Sequence, residues 1–180
     1  MGKIILVTGA SRSGKSEWAE YLACQSGQPV TYVATATETP DDAEWTARIQ
    51  RHRDRRPEDW QFIAESHDLT AALQGITAGN CVLVDSLGLW VASHLETTPT
   101  IWQMLSDELL QLLPKLELTI ILVAEETGWG IVPAYELGRL FRDRLGSLTR
   151  QIGAIADTPY LVVGGYALNL KKYGEILPTQ

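Results

Sequence analysis

The chain alternates short apolar runs with longer stretches of mixed polarity. The runs are Ile4 to Val7, Val30 to Ala34, Cys81 to Val84, Leu118 to Ala124 and Tyr160 to Val163. Apolar runs of this length are typical of strands that are buried on both faces, and such strands are usually parallel and joined by helices. The pattern therefore predicts an α/β fold in which a mostly parallel sheet carries helices on both faces.

Four stretches show helical patterns, and they are Glu17 to Ala23, Glu44 to Arg53, Ile101 to Leu113 and Pro133 to about Ile155. The second follows Thr39-Pro40-Asp41-Asp42, which supplies a cap residue, a first-turn proline and two acids. It should end by Arg56-Pro57, because proline disfavours helical geometry in the residue before it. The tail, Leu161 to Leu170, predicts a small C-terminal hairpin.

Composition limits both the size of the fold and the class of ligand. The 180 residues, of which 45% are hydrophobic, suffice for one well-filled domain spanning residues 1–180. The net charge is −7 and the pI is near 4.9, so the chain as a whole repels a nucleic-acid backbone. We therefore expect small anionic ligands and no nucleic-acid partner.

Two features concern the compartment. Cys24 and Cys81 are the two cysteines, and each lies in an apolar segment without a Cys or His at metal-ligand spacing. We expect buried free thiols in a reducing compartment. No apolar stretch approaches the ~18 residues that cross a bilayer, so we expect a cytoplasmic protein with no membrane partner.

The segment after the first run has the pattern of a phosphate-binding P-loop, Gly9-Ala10-Ser11-Arg12-Ser13-Gly14-Lys15-Ser16. Glycines let successive backbone N–H groups turn toward phosphate oxygens, and the positive end of the following helix faces the same anion. Lys15 is expected to reach the β- and γ-phosphates, and Ser16 to bind Mg²⁺. A glycine-rich turn with a chance lysine is the alternative, but the flanking strand and helix argue against it.

Acidic residues follow two of the apolar runs. Asp85 ends the third run, where P-loop proteins place an acid near the metal, although an acid there can also cap the next helix. Glu125-Glu126 follow the fourth run and lead into Thr127 to Pro133, which contains Gly128-Trp129-Gly130. This segment is either the floor of a substrate cleft or a plain connection with two solvated acids.

Basic residues are concentrated in Arg48 to Arg56, which holds five of the chain's fifteen. On a helix, His52 would share an inward edge with Trp45 and Ile49. It is either a side chain at the edge of the core or a nucleophile toward phosphorus, whose arginine neighbours keep the imidazole neutral and bind phosphate. The pattern alone leaves both alternatives open.

Four arginines follow on the last long helix, and they are Arg139, Arg142, Arg144 and Arg150, with Asp143 among them. We expect a surface ion-pair network; contacts to an anion or to another subunit are the alternative.

Together these segments resemble the bifunctional adenosylcobinamide kinase / adenosylcobinamide-phosphate guanylyltransferase family. The matching stretches run in one order over nearly the whole chain, and they are Leu6 to Ser16, Tyr32 to Ala36, Ala47 to Pro57, Val82 to Ser86, Gly128 to Pro133 and Arg139 to Asp143. The P-loop is shared with many unrelated enzymes. The Arg-Ile-Gln-Arg-His segment at 48–52 and the Gly-Ile-Val-Pro loop at 130–133 are far more specific.

The resemblance implies a RecA-like P-loop fold, a homotrimer, and two reactions of cobalamin assembly that use ATP or GTP with Mg²⁺. First, the hydroxyl of the aminopropanol arm of adenosylcobinamide takes a γ-phosphoryl group. His52 then attacks the α-phosphorus of GTP, releases pyrophosphate and passes GMP to the cobinamide phosphate.

The same resemblance implies roles for particular residues. His52 and Lys15 would be catalytic, and Ser16 and Asp85 would surround the metal. The implied nucleotide-binding residues are Gly9, Ala10, Ser11, Arg12, Ser13, Gly14, Lys15, Ser16, Ala34, Thr35, Ala36, Arg53, Asp54, Arg55, Arg56, Glu65 and Asp85.

Two other functions fit part of the pattern. A small-molecule P-loop kinase would transfer the γ-phosphoryl group without forming covalent GMP. A RecA-like nucleotide-switch module would use its arginine cluster to grip nucleic acid or a protein, but the acidic net charge argues against that function.

Overall fold

The computed structural model describes residues 2–36 and 56–178. The strands within these ranges are β1 (Lys3–Gly9), β2 (Val30–Ala34), β3 (Gln61–Ala64), β4 (Cys81–Asp85), β5 (Thr119–Glu125), β6 (Thr158–Val163) and β7 (Tyr166–Asn169). Each of the five apolar runs coincides with a strand to within two residues. The helix expected over Glu44 to Arg53 lies outside the described residues.

The strands form one sheet in the order β3-β2-β4-β5-β1-β6-β7. Neighbouring strands run parallel except β6 and β7, which are antiparallel. Gly164 and Gly165 join these two with φ values of 59° and 82°, as a two-residue turn matched to the strand twist requires. The mostly parallel sheet and the C-terminal hairpin are therefore both confirmed.

The helices of the described ranges are α1 (Lys15–Cys24), α2 (Leu69–Gln74), α3 (Leu87–Ser93), α4 (Pro99–Leu112), α5 (Glu136–Ile155) and α6 (Leu170–Tyr173). The three predicted helices in these ranges are all present. Helix α4 starts two residues before the predicted Ile101, because Thr98 caps it by accepting a hydrogen bond from the Ile101 N–H. Pro114 lies in a 3₁₀ turn that ends it.

Helices cover both faces of the sheet. Side chains alternate along each strand, so Ile5 and Val7 pack with Ala19 of α1 in one apolar cluster. Ile4 and Leu6 face the opposite cluster, which contains residues of α2, α3, α4 and α5. The carboxyl ends of the parallel strands thus lie at one edge, between two helical layers.

Some predictions were incomplete or wrong. Strand β3 was missed because it lies at the edge of the sheet and is largely exposed, so it shows no apolar run. Helices α2 and α3 were missed because six or seven residues are too few for a clear helical period. Cys81 is buried as expected, but Cys24 is exposed near the end of α1, and the expectation of two buried thiols was wrong.

Of the helices formed by residues 2–36 and 56–178, none combines the length and apolar character needed to cross a bilayer.

Candidate functional site

The P-loop and two of the strand-end acids lie at the carboxyl edge of the sheet. Strand β5 lies between β1, which leads into the P-loop, and β4, which ends at Asp85. Gly9 and Glu125 are register partners at the ends of β1 and β5. Since parallel strands end at the same edge, the P-loop, Asp85 and Glu125 share the edge at which α/β proteins bind ligands.

The P-loop has the strand–turn–helix setting that its sequence predicted. Arg12 and Gly14 adopt left-handed φ values of 59° and 91°, and the Ser13 N–H donates to the Ala10 carbonyl at 3.2 Å. Such a turn directs successive backbone N–H groups to one side. Lys15 is the first residue of α1; its side chain is buried and its Nζ donates to the Ala10 carbonyl at 3.3 Å.

Two further features of the loop concern its packing and its capacity to bind an anion. A Cβ at Gly9 would lie 2.5 Å from the Val162 carbonyl oxygen, so the close approach of loop and strand needs glycine. The Ser13 hydroxyl is buried and has no hydrogen-bond partner among the described residues. A phosphate oxygen would satisfy that hydroxyl and the backbone N–H groups at the start of α1.

Asp85 ends β4 as predicted, but it does not cap the next helix. Ser86 is the N-cap of α3 and accepts a hydrogen bond from the Leu89 N–H at 3.4 Å. Asp85 Oδ2 instead accepts a hydrogen bond from the Tyr32 hydroxyl at 3.2 Å. The capping alternative for Asp85 is therefore wrong.

Tyr32 links Asp85 to the end of the arginine-rich segment. Burial raises the pKa of the Tyr32 hydroxyl, and the negative charge of Asp85 raises it further, so the hydroxyl remains a donor. The Arg56 guanidinium carbon lies 3.7 Å from the centre of the Tyr32 ring. Arg56 is thus brought to the same edge as Asp85 through an aromatic contact.

A hydrogen-bonded network joins the ends of β2, β4 and β5. Thr35 Oγ1 donates to the Ser86 carbonyl at 2.6 Å and accepts from the Ser86 N–H at 2.9 Å. The Ser86 hydroxyl donates to Glu125 Oε1 at 2.5 Å, and the Gly88 N–H donates to Glu125 Oε2 at 3.1 Å. Glu125 is therefore a half-buried, fixed carboxylate, and the alternative of two solvated acids is wrong for it.

The other predicted residues are placed less centrally. Ala34, Thr35 and Ala36 lie at and just beyond the end of β2. Glu65 follows β3, where its Oε1 accepts the N–H groups of His67 and Asp68 at 2.8 and 2.9 Å. Strand β3 is four positions away from β1 in the sheet. At ~4.8 Å per position the two strands are about 19 Å apart, so the fold does not bring Glu65 beside the P-loop. His52, Arg53, Asp54 and Arg55 lie outside the described residues.

Among residues 2–36 and 56–178, the arginines of α5 form the single ion pair Arg142–Asp143 and not the expected surface network. Arg144 is buried and donates to the His94 carbonyl at 2.7 Å and the Thr97 carbonyl at 2.8 Å. Arg139 donates to two loop carbonyls, and Arg142 pairs with Asp143 at 3.1 Å. The signal for Arg144 was available, since it is spaced four residues from Leu148, a buried core residue.

A concavity of about 400 Å³ lies between α2, α3 and α4. Its lining includes His67, Trp90, His94 and Glu108. The two histidines are 27 positions apart in the sequence, and their rings come together only in the fold, with centres 5.6 Å apart. No group of three or more His, Cys, Asp or Glu side chains suited to a metal was found in residues 2–36 and 56–178.

The sequence was compared with known families and proteins. Residues 5–170 match the family described as cobinamide kinase / cobinamide phosphate guanyltransferase. The chain belongs to this family. It is 41% identical over 170 residues to the bifunctional adenosylcobalamin biosynthesis protein CobP of Pseudomonas aeruginosa, covering 92% of this chain and 96% of that protein. It is 34% identical over 183 residues to the bifunctional adenosylcobalamin biosynthesis protein CobU of Escherichia coli K12, covering 93% and 99%.

Solved structures support the fold. A protein from Pyrococcus horikoshii OT3 superposes with a TM-score of 0.58 at 8% identity, covering 97% of this chain and 91% of that one. The flagellar accessory protein FlaH of Methanocaldococcus jannaschii superposes with a TM-score of 0.52 at 14% identity, covering 97% and 82%. At these identities the similarity concerns architecture alone, and it agrees with the P-loop fold that the sequence predicted.

Proposed function

We propose that this protein of the cobinamide kinase / guanyltransferase family carries out both reactions. It phosphorylates the hydroxyl of the cobinamide aminopropanol arm with ATP or GTP, and it then transfers GMP from GTP to the resulting phosphate. The observation that carries the proposal is the P-loop turn at Arg12 and Gly14. The strand that leads into this turn is one strand away from the strand that ends at Glu125 and two away from the strand that ends at Asp85. The chain also matches its relatives along nearly their whole length.

In the proposed complex the triphosphate lies in the P-loop, where backbone N–H groups and Lys15 neutralise its charge. The Ser16 hydroxyl and the Asp85 carboxylate fit Mg²⁺, because both are hard oxygen ligands and Mg²⁺ typically takes its remaining ligands from phosphates and water. Bound there, Mg²⁺ would stabilise charge on the phosphates. Tyr32 orients Asp85 through its hydroxyl.

The proposed nucleophile of the second reaction is His52. Its imidazole nitrogen forms a bond to the α-phosphorus of GTP as the bond to pyrophosphate breaks, and a phosphate oxygen of the acceptor then displaces the histidine. Four peptide units join His52 to Arg56, so their Cα atoms cannot be more than about 14 Å apart. Because Arg56 lies on Tyr32, next to Asp85, covalent geometry is compatible with this assignment.

The decisive experiment is incubation with α-labelled GTP and Mg²⁺, followed by denaturation and intact mass measurement. We expect an acid-labile adduct of one GMP per chain, which His52→Ala abolishes. A plain small-molecule kinase would transfer γ-phosphoryl groups and form no adduct. An adduct that persists in His52→Ala would contradict the assignment of the nucleophile.

A matched control is available because the chain has three histidines. His67 is exposed and belongs to no proposed role, whereas His94 is buried in the core. His67→Ala should therefore retain the full adduct, which separates the loss of one particular imidazole from a general effect of removing a histidine.

We also propose that the protein assembles as a homotrimer and does not bind nucleic acid. Apolar side chains stand exposed after β5, among them Trp129 at 69%, Ile131 at 97% and Tyr135 at 83%. Exposed apolar groups of this size are typical of contact surfaces. Light scattering should give three times the chain mass, and Ile131→Glu should reduce it; a monomeric wild type would contradict this part of the proposal.

A further inference from the structure

Of the described strand-end acids, Glu125 is the closest to the P-loop, and it has no role in the two reactions proposed above. It is the register partner of Gly9, on the strand next to β1. Asp85 is two strands from β1 and Glu65 is four. With ~4.8 Å between strands, these offsets are about 5, 10 and 19 Å.

The Glu125 carboxylate is held in place with acceptor capacity to spare. One oxygen accepts the Ser86 hydroxyl and the other accepts the Gly88 N–H. An ionised carboxylate offers about four acceptor positions, so two donors leave room for a third. A Cβ at Gly88 would overlap Oε2, so the glycine keeps space for the carboxylate at the start of α3.

The neighbouring acids are engaged elsewhere. Asp85 accepts the Tyr32 hydroxyl and is the proposed metal-side acid. Glu126 accepts the N–H of Gly128 at 2.7 Å, within its own loop. Among the described strand-end acids, Glu125 is the one that is both fixed by two donors at the start of α3 and next to the strand that carries the P-loop.

We propose that Glu125 is the general base of the phosphoryl-transfer reaction, an inference that rests on the proposed function. The hydroxyl proton of the acceptor passes to a Glu125 oxygen as the hydroxyl oxygen forms a bond to the γ-phosphorus. The bond from that phosphorus to the bridging oxygen breaks, and the nucleoside diphosphate leaves with the electron pair. The proton is later lost to water.

The two reactions should depend on Glu125 differently. Phosphoryl transfer begins from an alcohol, whose proton must be removed. Guanylyl transfer begins from a neutral imidazole nitrogen and ends with a phosphate oxygen, and neither attacking atom carries a proton that must leave. Loss of the base should therefore impair the first reaction and spare formation of the GMP adduct.

Glu125→Gln tests the inference with little change in shape. The amide oxygen can still accept the Gly88 N–H, and the amide N–H can donate to the Ser86 hydroxyl, but the group is no longer a base. Glu126→Gln is the matched control, because it makes the same chemical change one residue away. Each full-length variant is assayed for ³²P transfer from γ-labelled ATP to cobinamide and for the GMP adduct.

We expect Glu125→Gln to lower kcat of phosphoryl transfer by about 100-fold or more, with KM for ATP within about threefold of wild type. The GMP adduct should form at the wild-type rate, and Glu126→Gln should match wild type in both assays. A Glu125→Gln variant that retains kcat within about threefold refutes the inference. So does one that loses both reactions and ATP binding together, since that indicates a structural role.

Failure of the proposed function would look different. Wild-type protein would then transfer no phosphoryl group to cobinamide, and this inference would fall with the function. Wild type active in both reactions, with Glu125→Gln equally active, would overturn the role of Glu125 alone.

Discussion

Gly88→Ala should destabilise the protein, although replacing glycine by alanine in a helix normally stabilises it. Gly88 is the second residue of α3, and it has no Cβ at the point where Glu125 Oε2 lies. Alanine would displace the carboxylate from both of its donors, the Ser86 hydroxyl and the Gly88 N–H. The sign of the effect therefore depends on one contact between β5 and α3.

The magnitude follows from opposing terms. A hydrogen bond to a charged acceptor contributes about 1.5 kcal/mol at the low end of its range. The low end applies here because the half-buried carboxylate regains some contact with water when it is displaced. Losing two such bonds therefore costs about 3 kcal/mol. Alanine in a helix regains up to about 1 kcal/mol. The net loss is about 2 kcal/mol, which corresponds to a fall in Tm of about 4–8 °C for a chain of this size.

Urea unfolding followed by circular dichroism measures the change in the free energy of unfolding. Gly146→Ala is the matched control, because Gly146 is an exposed helical glycine in α5 whose added Cβ would meet no atom within 4 Å. That variant should be more stable than wild type by about 0.5–1 kcal/mol.

A double-mutant cycle isolates the contact. In a Glu125→Ala background the carboxylate is gone, so adding Gly88→Ala should be neutral or stabilising. The reasoning is refuted if Gly88→Ala is as stable as wild type, or if it costs the same with and without Glu125.

Three other changes have defined outcomes. Arg144→Met should cost about 1–3 kcal/mol, because the Thr97 carbonyl loses the Arg144 donor while the His94 carbonyl keeps the Thr97 N–H. The more exposed Arg142→Met should cost less than about 0.5 kcal/mol, and equal losses in urea unfolding would contradict this. Burial raises the pKa of the Tyr32 hydroxyl above its ordinary value of 10.0. The contribution of Tyr32 to the free energy of unfolding is therefore complete below pH 10.0 and declines as the pH rises above it. Tyr32→Phe should flatten the alkaline fall in unfolding free energy, and an identical fall would count against the burial argument. Gly9→Ala should weaken nucleotide binding by about tenfold or more in a fluorescence titration, because its Cβ would meet a carbonyl of β6; unchanged affinity would contradict the tight loop.

Prediction from sequence succeeded where the determining interactions are local. The P-loop turn, the start of α1 and the Gly164-Gly165 hairpin depend on glycines at fixed positions, so a short stretch of sequence contains the whole signal. The buried strands were equally clear, because both of their faces are apolar.

The errors at the candidate site concern interactions between distant residues. Glu125 is separated by more than 35 residues from Ser86 and Gly88, and nothing near it in the sequence indicates that two donors will fix its carboxylate. Its position beside the P-loop follows from strand order, which no local pattern specifies. Arg144 was assigned to the surface by residue type, although its spacing from Leu148 placed it on the buried stripe of α5.

The unequal burial of the two thiols gives the molecule an internal reporter of sheet opening. Cys24 is accessible in the native state, whereas Cys81 has no exposed surface in β4, and burial raises the pKa of its thiol. An alkylating reagent should therefore add one label rapidly and a second only when the sheet separates. The mass of the labelled chain, followed over time, would give the rate at which the interior strand β4 opens, without any introduced probe.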